Sequence, residues 1–393
     1  MAATAIKQKE LFGHPVGLYV LFFTEMWERF SYYGMRAILV LYLVANAKGE
    51  NAGLGWANGD ALSLYGTYTM LVYVMSIPGG WIADKFLGQK KAVLYGGILL
   101  VAGHSILAVE EMWAFYTGLG LIIAGVGMLK PNISTMVGGL YKQGDIRRDK
   151  GFTIFYIGIN VGAFLSSLIV GYVGEVYGWH YGFGLAGIGM ALGLIQYVAG
   201  QKHLKYVGNY LGASENKEEK EAMKKPLTKT EKDRVVVLFV SFLLVIVFWG
   251  AFEQAGGLMN IYASEKTNRM LMNWEVTASW FQALNAMFII FLGTSIAVAL
   301  SYITKLAPVK YASLMMGVYF AMTGFGNKLA GLLGESAEGL GEFTVFTGIA
   351  VFCIAFGLLV MVFRKKLEKL THGAEDDEHV IHDEAEGFEL ADN

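Results

Sequence analysis

The chain has 393 residues and a formal net charge of −2, with 55% hydrophobic residues and only 16% charged residues. About a quarter of the residues are charged in a typical soluble domain, so this composition excludes an ordinary water-exposed surface. The 50 glycines favour helices that approach closely within lipid. Cys353 is the single cysteine, which excludes an intramolecular disulfide. We therefore expect an integral membrane protein in contact with the lipid bilayer.

The apolar residues form ten blocks, each of about the length that crosses roughly 30 Å of hydrocarbon as a helix. The blocks cover residues 16–46, 61–83, 92–109, 113–137, 152–175, 179–200, 235–263, 276–304, 311–333 and 343–363. Each block predicts a transmembrane helix. An even number of crossings places both termini on one side of the membrane.

The basic residues decide which side that is. They concentrate in the segments 7–9, 85–91, 142–150, 202–234, 305–310 and 364–369, whereas only Lys48, Lys266 and Arg269 fall on the other face. Because cytoplasmic loops carry the excess of lysine and arginine, both termini are predicted to be cytoplasmic. Residues 1–14 contain no small-residue cleavage pattern, so we expect no removable signal peptide.

A polar, lysine-rich stretch divides the chain into six crossings and four. We predict an N-terminal six-helix bundle over residues 1–200, a cytoplasmic linker over 201–234 and a C-terminal helical bundle over 235–370. Residues 371–393 are acidic and have no apolar periodicity, which predicts a disordered tail.

The first apolar block contains four charged residues, Glu25, Glu28, Arg29 and Arg36, in the segment TEMWERFSYYGMR. A charge at the centre of a bilayer costs about 2.5–3.5 kcal/mol even on the milder insertion scale. At 100° per residue Glu25, Arg29, Tyr33 and Arg36 share one stripe of the helix. This face is predicted to line a wet cavity.

Single charges occur in three other blocks, at Lys130, Glu253 and Lys328. Opposite charges from different helices lower one another's desolvation cost, and a carboxylate that exchanges partners changes its affinity for a proton. This chemistry suits a proton-driven carrier. Static structural ion pairs remain the alternative interpretation, and His104 is interpreted as a packing residue.

Aromatic and amide side chains recur beside the charged positions, at Tyr65, Tyr68, Tyr156, Asn160, Trp249, Trp280, Asn285 and Tyr319. Such groups hold amides and varied side chains without requiring one shape. Interfacial belt or packing roles remain the alternative for each aromatic residue taken singly.

Several motifs resemble a known family. The segment GGWIADKFLGQKK, with Asp84, resembles the loop motif between helices two and three of the major facilitator superfamily. The segments ERFSYYGMR, LKPNIST, DIRRDKGFTIFYIGINVGAF, FEQAGG and SWFQALN resemble the proton-dependent oligopeptide transporter family. The resemblance implies an all-α integral membrane bundle of the major facilitator fold, of which about ten of the usual twelve helices are seen.

The resemblance also implies roles for individual residues. Glu25, Glu28 and Arg29 match a motif tied to proton coupling. Lys130 and Glu253 are expected to take part in the coupling. Arg36 and Glu253 match a pair that closes the extracellular side, and Asp84 matches a cytoplasmic gate residue. The residues expected to line the peptide site are Tyr33, Arg36, Tyr68, Lys130, Tyr156, Asn160, Trp249, Asn285 and Tyr319.

The sequence departs from the family pattern in one region. Segments that resemble family helices eight and ten join at about Val298–Ala299, so helix nine and the outer half of helix ten are expected to be absent. The family carries a glutamate there that pairs with the residue matching Lys130, whereas the segment SIAVALSY is uncharged. The polar linker also lacks the two additional helices of many bacterial members.

The sequence therefore predicts a symporter that imports di- and tripeptides with protons across a bacterial inner membrane. It contains no zinc cluster, nucleotide loop or nucleophile elbow, so we expect no enzymatic activity, no cofactor, no metal site and no nucleic-acid partner. The alternatives are proton-coupled transport of another small solute, such as nitrate or an amino-acid derivative, and a transport-inactive truncated membrane protein. The oligomeric state is left open.

Overall fold

The N-terminal half of the protein begins with a short hairpin and continues as seven helices. The computed structural model describes residues 9–141, 145–209, 228–292, 306 and 312–370. Strands β1 (Glu10–Leu11) and β2 (His14–Pro15) pair antiparallel. The helices that follow are α1 (Val16–Val44), α2 (Asn58–Val74), α3 (Ser76–Ile82), α4 (Gln89–Leu107), α5 (Met112–Gly139), α6 (Arg147–Val176) and α7 (Trp179–Gly200).

The C-terminal half contains five described helices and a second hairpin. These elements are α8 (Lys229–Phe252), α9 (Leu258–Glu265), β3 (Met270–Leu271), β4 (Trp274–Glu275), α10 (Trp280–Leu292), α11 (Ala312–Leu340) and α12 (Glu342–Leu370). The predicted junction at Val298–Ala299, most of the predicted linker and the predicted tail lie outside the described residues.

The second crossing, predicted as one block over residues 61–83, is interrupted in the structure. Helix α2 ends at Val74, and α3 starts at Ser76 before a π-helical turn over Ala83–Leu87. Pro78 explains the interruption, because it has no N–H to donate to the carbonyl one helical turn earlier.

The crossing over residues 235–263 is also divided. Helix α8 begins with a capping box, in which Glu231 N–H donates to Thr228 Oγ1 at 3.2 Å and Thr228 N–H donates to Glu231 Oε2 at 2.7 Å. At its other end a 3-10 turn over Glu253–Ala255 and two glycines precede α9. The division places Glu253 at a helix end.

Six helical spans in the described part of the chain are long and apolar enough to cross a membrane by length and composition. They are Gln89–Leu107, Met112–Gly139, Arg147–Val176, Trp179–His203, Lys229–Glu265 and Glu342–Phe363. Helix α1 is long enough but carries the four charged residues, α2 has 17 residues, and α10 has 13 described residues. The chain is thus an all-α, multi-pass membrane protein.

The two halves meet along a seam between α2 and α11, which we call the glycine seam. Gly66 lies against Gly331, Gly324 against the Met70 backbone, and Gly317 against the Ser76 backbone. A Cβ atom on Gly66 would stand 2.8 Å from the Gly331 Cα, which is too close for any side chain. Small residues therefore allow the two backbones to touch, as is common between helices in lipid.

The C-terminal half is less enclosed than the N-terminal half. In the most apolar 18-residue stretch of each span, the buried share is 44–50% in the four spans from Gln89 to His203. The buried share is 22% in Lys229–Glu265 and 6% in Glu342–Phe363. The apolar side chains of α12, such as Met361 and Val362, are exposed. A half-bundle that lacked two crossings would leave this kind of surface open to lipid.

Candidate functional site

Glu25, Glu28 and Arg29 form a buried ionic cluster on α1. The Arg29 Nε lies 3.1 Å from Glu25 Oε1 and also contacts Glu28 Oε2. The three residues are at most 1% exposed. Glu25 Oε2 and Glu28 Oε1 are buried and accept no hydrogen bond from the described residues. One arginine thus faces two carboxylates, each of which keeps an oxygen free to bind a proton.

Arg36, two turns further along α1, pairs with Glu253 of the other half. Its Nη1 lies 2.9 Å and 2.8 Å from the two oxygens of Glu253, and the Tyr65 hydroxyl lies 3.4 Å from Glu253 Oε2. Arg36 is 6% exposed and Glu253 is 2% exposed. Hydrogen bonds between ionised partners are among the strongest in proteins. This pair joins the two halves across 217 residues of chain.

Tyr33 lies between the two arginines of α1. The centre of its ring is 5.6 Å from Arg29 Cζ and 4.6 Å from Arg36 Cζ. The ring of Tyr32 also lies within 6 Å of both guanidinium groups. These cation–π contacts partly replace the water that the buried cations have lost.

Lys130 on α5 is held by two aromatic rings. Its Nζ lies 3.9 Å from the centre of the Tyr73 ring and 4.7 Å from that of Phe320, and the two rings stack at 6.3 Å. No carboxylate of the described residues lies within ion-pair distance of Lys130. Tyr73 and Phe320 were missed by sequence reasoning, because no local motif links them across nearly 250 residues of chain.

The remaining predicted site residues differ in their burial and contacts. Asn160 is buried and donates from Nδ2 to the Tyr156 carbonyl at 2.9 Å, and Tyr68 is buried with a hydroxyl that has no partner among the described residues. Trp249 packs edge-on against Phe252 at 5.1 Å, and Tyr319 is half-buried beside Phe320. Asn285 is exposed on α10.

Three other residues considered in the sequence analysis are Asp84, Lys328 and His104. Asp84 is half-buried in the π-helical turn that follows α3. Lys328 on α11 donates from Nζ to Thr67 Oγ1 on α2 at 2.8 Å, across the two halves. His104 is buried on α4, and both ring nitrogens are without a partner among the described residues.

A polar network connects the N-terminal hairpin to the start of α6. Arg147 contacts Glu10 at 2.9 Å and Asp145 at 2.8 Å, and His14 Nδ1 lies 2.8 Å from the Tyr141 hydroxyl. The hydrogen bond from Arg147 lowers the pKa of Asp145. Burial, aided by the charge of Arg147, lowers the pKa of His14. His14 is therefore held neutral over a wider pH range than a free histidine.

Comparison with known proteins assigns the fold. The model of the POT family matches residues 90–214 and 209–298 of this chain. An uncharacterized transporter of Bacillus subtilis (strain 168), YclF, is 37% identical over 371 residues, which cover 82% of this chain and 75% of the relative. A di-/tripeptide transporter of Lactococcus lactis subsp. cremoris is 36% identical over 343 residues, which cover 72% of this chain and 69% of the relative.

A solved structure gives the same result. The crystal structure of a POT family transporter in complex with a thioalcohol-conjugated peptide superposes with a TM-score of 0.78 at 29% identity, covering 92% of this chain and 99% of the other. The resemblance inferred from the motifs is therefore confirmed. The chain belongs to the POT family and has the all-α, multi-pass fold of the major facilitator superfamily transporters.

Proposed function

We propose that the chain imports di- and tripeptides together with protons across a bacterial inner membrane, by alternating access. The observation that carries this proposal is the placement of ionised groups within membrane-spanning helices, some paired on one helix and others paired between the halves. The peptide substrate is supported by the Lactococcus relative, a di-/tripeptide transporter, and by the peptide-bound structural neighbour. An enzymatic role is not proposed, since the relatives are transporters.

The buried cluster on α1 is suited to proton coupling. Lys130 interacts electrostatically with Glu28 and Glu25 as well as with Arg29. When all four groups are ionised, the two carboxylates balance the two cations. A proton bound to Glu25 would leave one excess positive charge near Tyr33 and Lys130. That charge attracts the carboxylate of a peptide, so proton and peptide binding favour one another.

The pair formed by Arg36 and Glu253 is suited to gating. In the conformation described here the pair is engaged, which holds the outer ends of α1 and α8 together. Opening towards the outside requires the two ions to separate into water. Asp84, at the opposite end of the N-terminal half, is proposed to act in the cytoplasmic gate.

The peptide site is proposed to lie between these two groups of charges. Arg36, Lys130 and Asn160 would hold the peptide carboxylate, and the rings of Tyr33, Tyr68, Tyr156, Trp249 and Tyr319 would surround its side chains. Asn285 is included as a pocket residue on the family motif. Its exposed position would require α10 to present it towards the peptide in another state of the cycle.

Uptake into proteoliposomes tests the proposal. An inward proton gradient should drive accumulation of labelled dialanine, and addition of an ionophore that collapses the gradient should stop it. If the gradient drives accumulation of nitrate or an amino-acid derivative instead of dialanine, the proposed substrate is wrong but the proposed proton coupling stands.

The open surface of the C-terminal half favours a second candidate, a transport-inactive membrane protein. The result that selects it is a monodisperse, folded preparation that binds dialanine without accumulating it under any gradient. Binding and uptake therefore have to be measured on the same preparation.

A further inference from the structure

The two halves meet at the outer surface in a second place, between the end of α6 and the start of α10. The Glu175 carboxylate accepts two hydrogen bonds there, from the N–H of Ala278 to Oε2 at 3.0 Å and from the N–H of Ser279 to Oε1 at 3.0 Å. The Trp280 indole N–H donates to the Leu168 carbonyl at 3.2 Å. We call this contact the outer α6–α10 seam.

The seam resembles a helix cap supplied by another helix, because the N–H groups of Ala278 and Ser279 lie in the turn just before Trp280, the first residue of α10. The first N–H groups of a helix have no partner within the helix, and a carboxylate is a favourable acceptor for them. Here both oxygens of one carboxylate are used, which fixes the direction of approach. Gly171 lies directly against the Ser279 side chain, so the helices are in close contact one turn below Glu175.

Both partners of the seam are held rigidly by their own halves. Asn51 donates from Nδ2 to the carbonyls of Gly174 at 2.9 Å and Glu175 at 3.0 Å, which fixes the end of α6. On the other side Arg269 pairs with Glu275 at 2.8 Å, so that the β3–β4 hairpin is closed. The Trp274 ring of that hairpin packs against Trp280 at 5.0 Å. A contact between two rigid parts transmits motion from one half to the other.

The start of α10 also carries the groups that would replace Glu175. The hydroxyls of Thr277 and Ser279 are buried and have no partner among the described residues. Serine and threonine are favoured cap residues, because the side-chain oxygen accepts an N–H of its own helix. Of the two, the Thr277 hydroxyl can accept the N–H of Ser279, two residues further on, once Glu175 leaves.

We propose that Glu175 is a second outer latch, which closes the α6–α10 side of the transporter independently of Arg36 and Glu253. In the closed state Glu175 caps α10. When the outside opens, Glu175 enters water and the hydroxyl of Thr277 accepts the N–H of Ser279, two residues further on. The latch extends the proposed function, since it presumes alternating access, but it does not depend on which solute is carried.

Distance measurements by double electron–electron resonance test the latch without any substrate. Spin labels are attached to cysteines introduced at Tyr177 and Met272, which are 65% and 94% exposed on either side of the seam, in a Cys353→Ser background. The full chain is reconstituted in lipid. Glu175→Ala should increase the ratio of open to closed distances at least about tenfold, because it removes both hydrogen bonds to the carboxylate and the loss of one such bond to a charged group corresponds to about tenfold.

Three further variants complete the test. Glu175→Gln should give a smaller increase than Glu175→Ala, because one acceptor oxygen remains. Gly171→Ala, which puts a methyl group against Ser279, should open the same seam without touching Glu175 and serves if Glu175→Ala fails to fold. Glu50→Gln alters an exposed carboxylate on the same face and should leave the distances unchanged.

The proposal is overturned if folded Glu175→Gln and Gly171→Ala both keep the parent distance distribution. It is also overturned if the Glu50→Gln control shifts the distances as much as they do. Loss of dialanine uptake in the parent protein, with the latch response intact, would contradict the proposed function alone.

Discussion

Separating Arg36 from Glu253 should have the largest effect of any single change at the outer surface. Glu253→Gln leaves the Arg36 guanidinium 6% exposed and facing a neutral amide. Breaking a buried ion pair by removing one partner costs about 3–5 kcal/mol. The Tyr33 ring, 4.6 Å from Arg36 Cζ, keeps part of the stabilisation of the cation, so we expect the lower end of that range.

A cost of about 3 kcal/mol corresponds to a change of roughly 100-fold in the ratio of closed to open molecules. Spin labels at Lys48 and Lys266, both exposed at the outer ends of the crossings, should report this change as a growing long-distance population. Arg36→Lys should have an intermediate effect, because an ammonium does not reproduce the geometry of a guanidinium. The control is Lys9→Gln, an exposed charge at the cytoplasmic end.

The reasoning fails if the double variant Arg36→Gln with Glu253→Gln shifts the population as far as the two single variants added together. A pair that interacts must show coupling in such a cycle. Equal distances in the parent protein and in Glu253→Gln would likewise show that the pair does not hold the outer surface closed.

Three other predictions concern the ionic clusters. Glu25→Gln should abolish gradient-driven dialanine uptake and leave counterflow exchange measurable; equal loss of both would remove the coupling role of Glu25. Lys130→Met should weaken the binding of dialanine, measured by its competition with a labelled peptide, about 10- to 100-fold, the effect expected for loss of one charge-assisted bond. Dialanine amide, which has no carboxylate, should compete equally well in the parent and the variant. His14→Gln should make the melting temperature less sensitive to acid. The pKa of His14 is lower in the folded state than in the unfolded chain, so the unfolded chain binds more protons. The parent therefore loses stability as pH falls below about 6.5, whereas the variant has no such group. A parent and variant with the same pH dependence between about pH 7.5 and 5.5 would contradict this.

The crossings and the charged face of α1 followed from elementary properties of the sequence. Apolar block length determined the helices to within a few residues, as for α5, which was predicted over 113–137 and spans Met112–Gly139. The ionic contact of Glu25 with Arg29 follows from their spacing of one helical turn. Local periodicity is sufficient for such contacts.

Contacts between helices could be predicted only in part, and only from the resemblance to the family. Periodicity places Arg36 and Glu253 in membrane helices but does not pair them, and the family motifs supplied the partner. The aromatic rings around Lys130 and the cap that Glu175 places on α10 were missed. A glutamate at a helix end looks like an ordinary interfacial charge until the structure brings a second helix to it.

The interruptions at Pro78 and at Glu253 were also missed, because hydropathy averages over them. Both positions carried a signal that could have been used, a proline within the second block and two successive glycines after Glu253. Helix breakers in a membrane segment indicate where backbone groups leave the regular pattern and become available to other partners.

The glycine seam has a mechanical consequence. At Gly66 and Gly331 the backbones of α2 and α11 touch with no side chain between them. When one helix tilts against the other, the contacts that have to rearrange are those beside this point, such as Lys328 with Thr67 and Tyr73 with Phe320. We expect the two halves to pivot about this point in the proposed alternating-access cycle, and the ionic contacts at the rim to determine when they do. An alanine at either glycine would push the two backbones apart. We expect it to slow the exchange between states without altering any charged group.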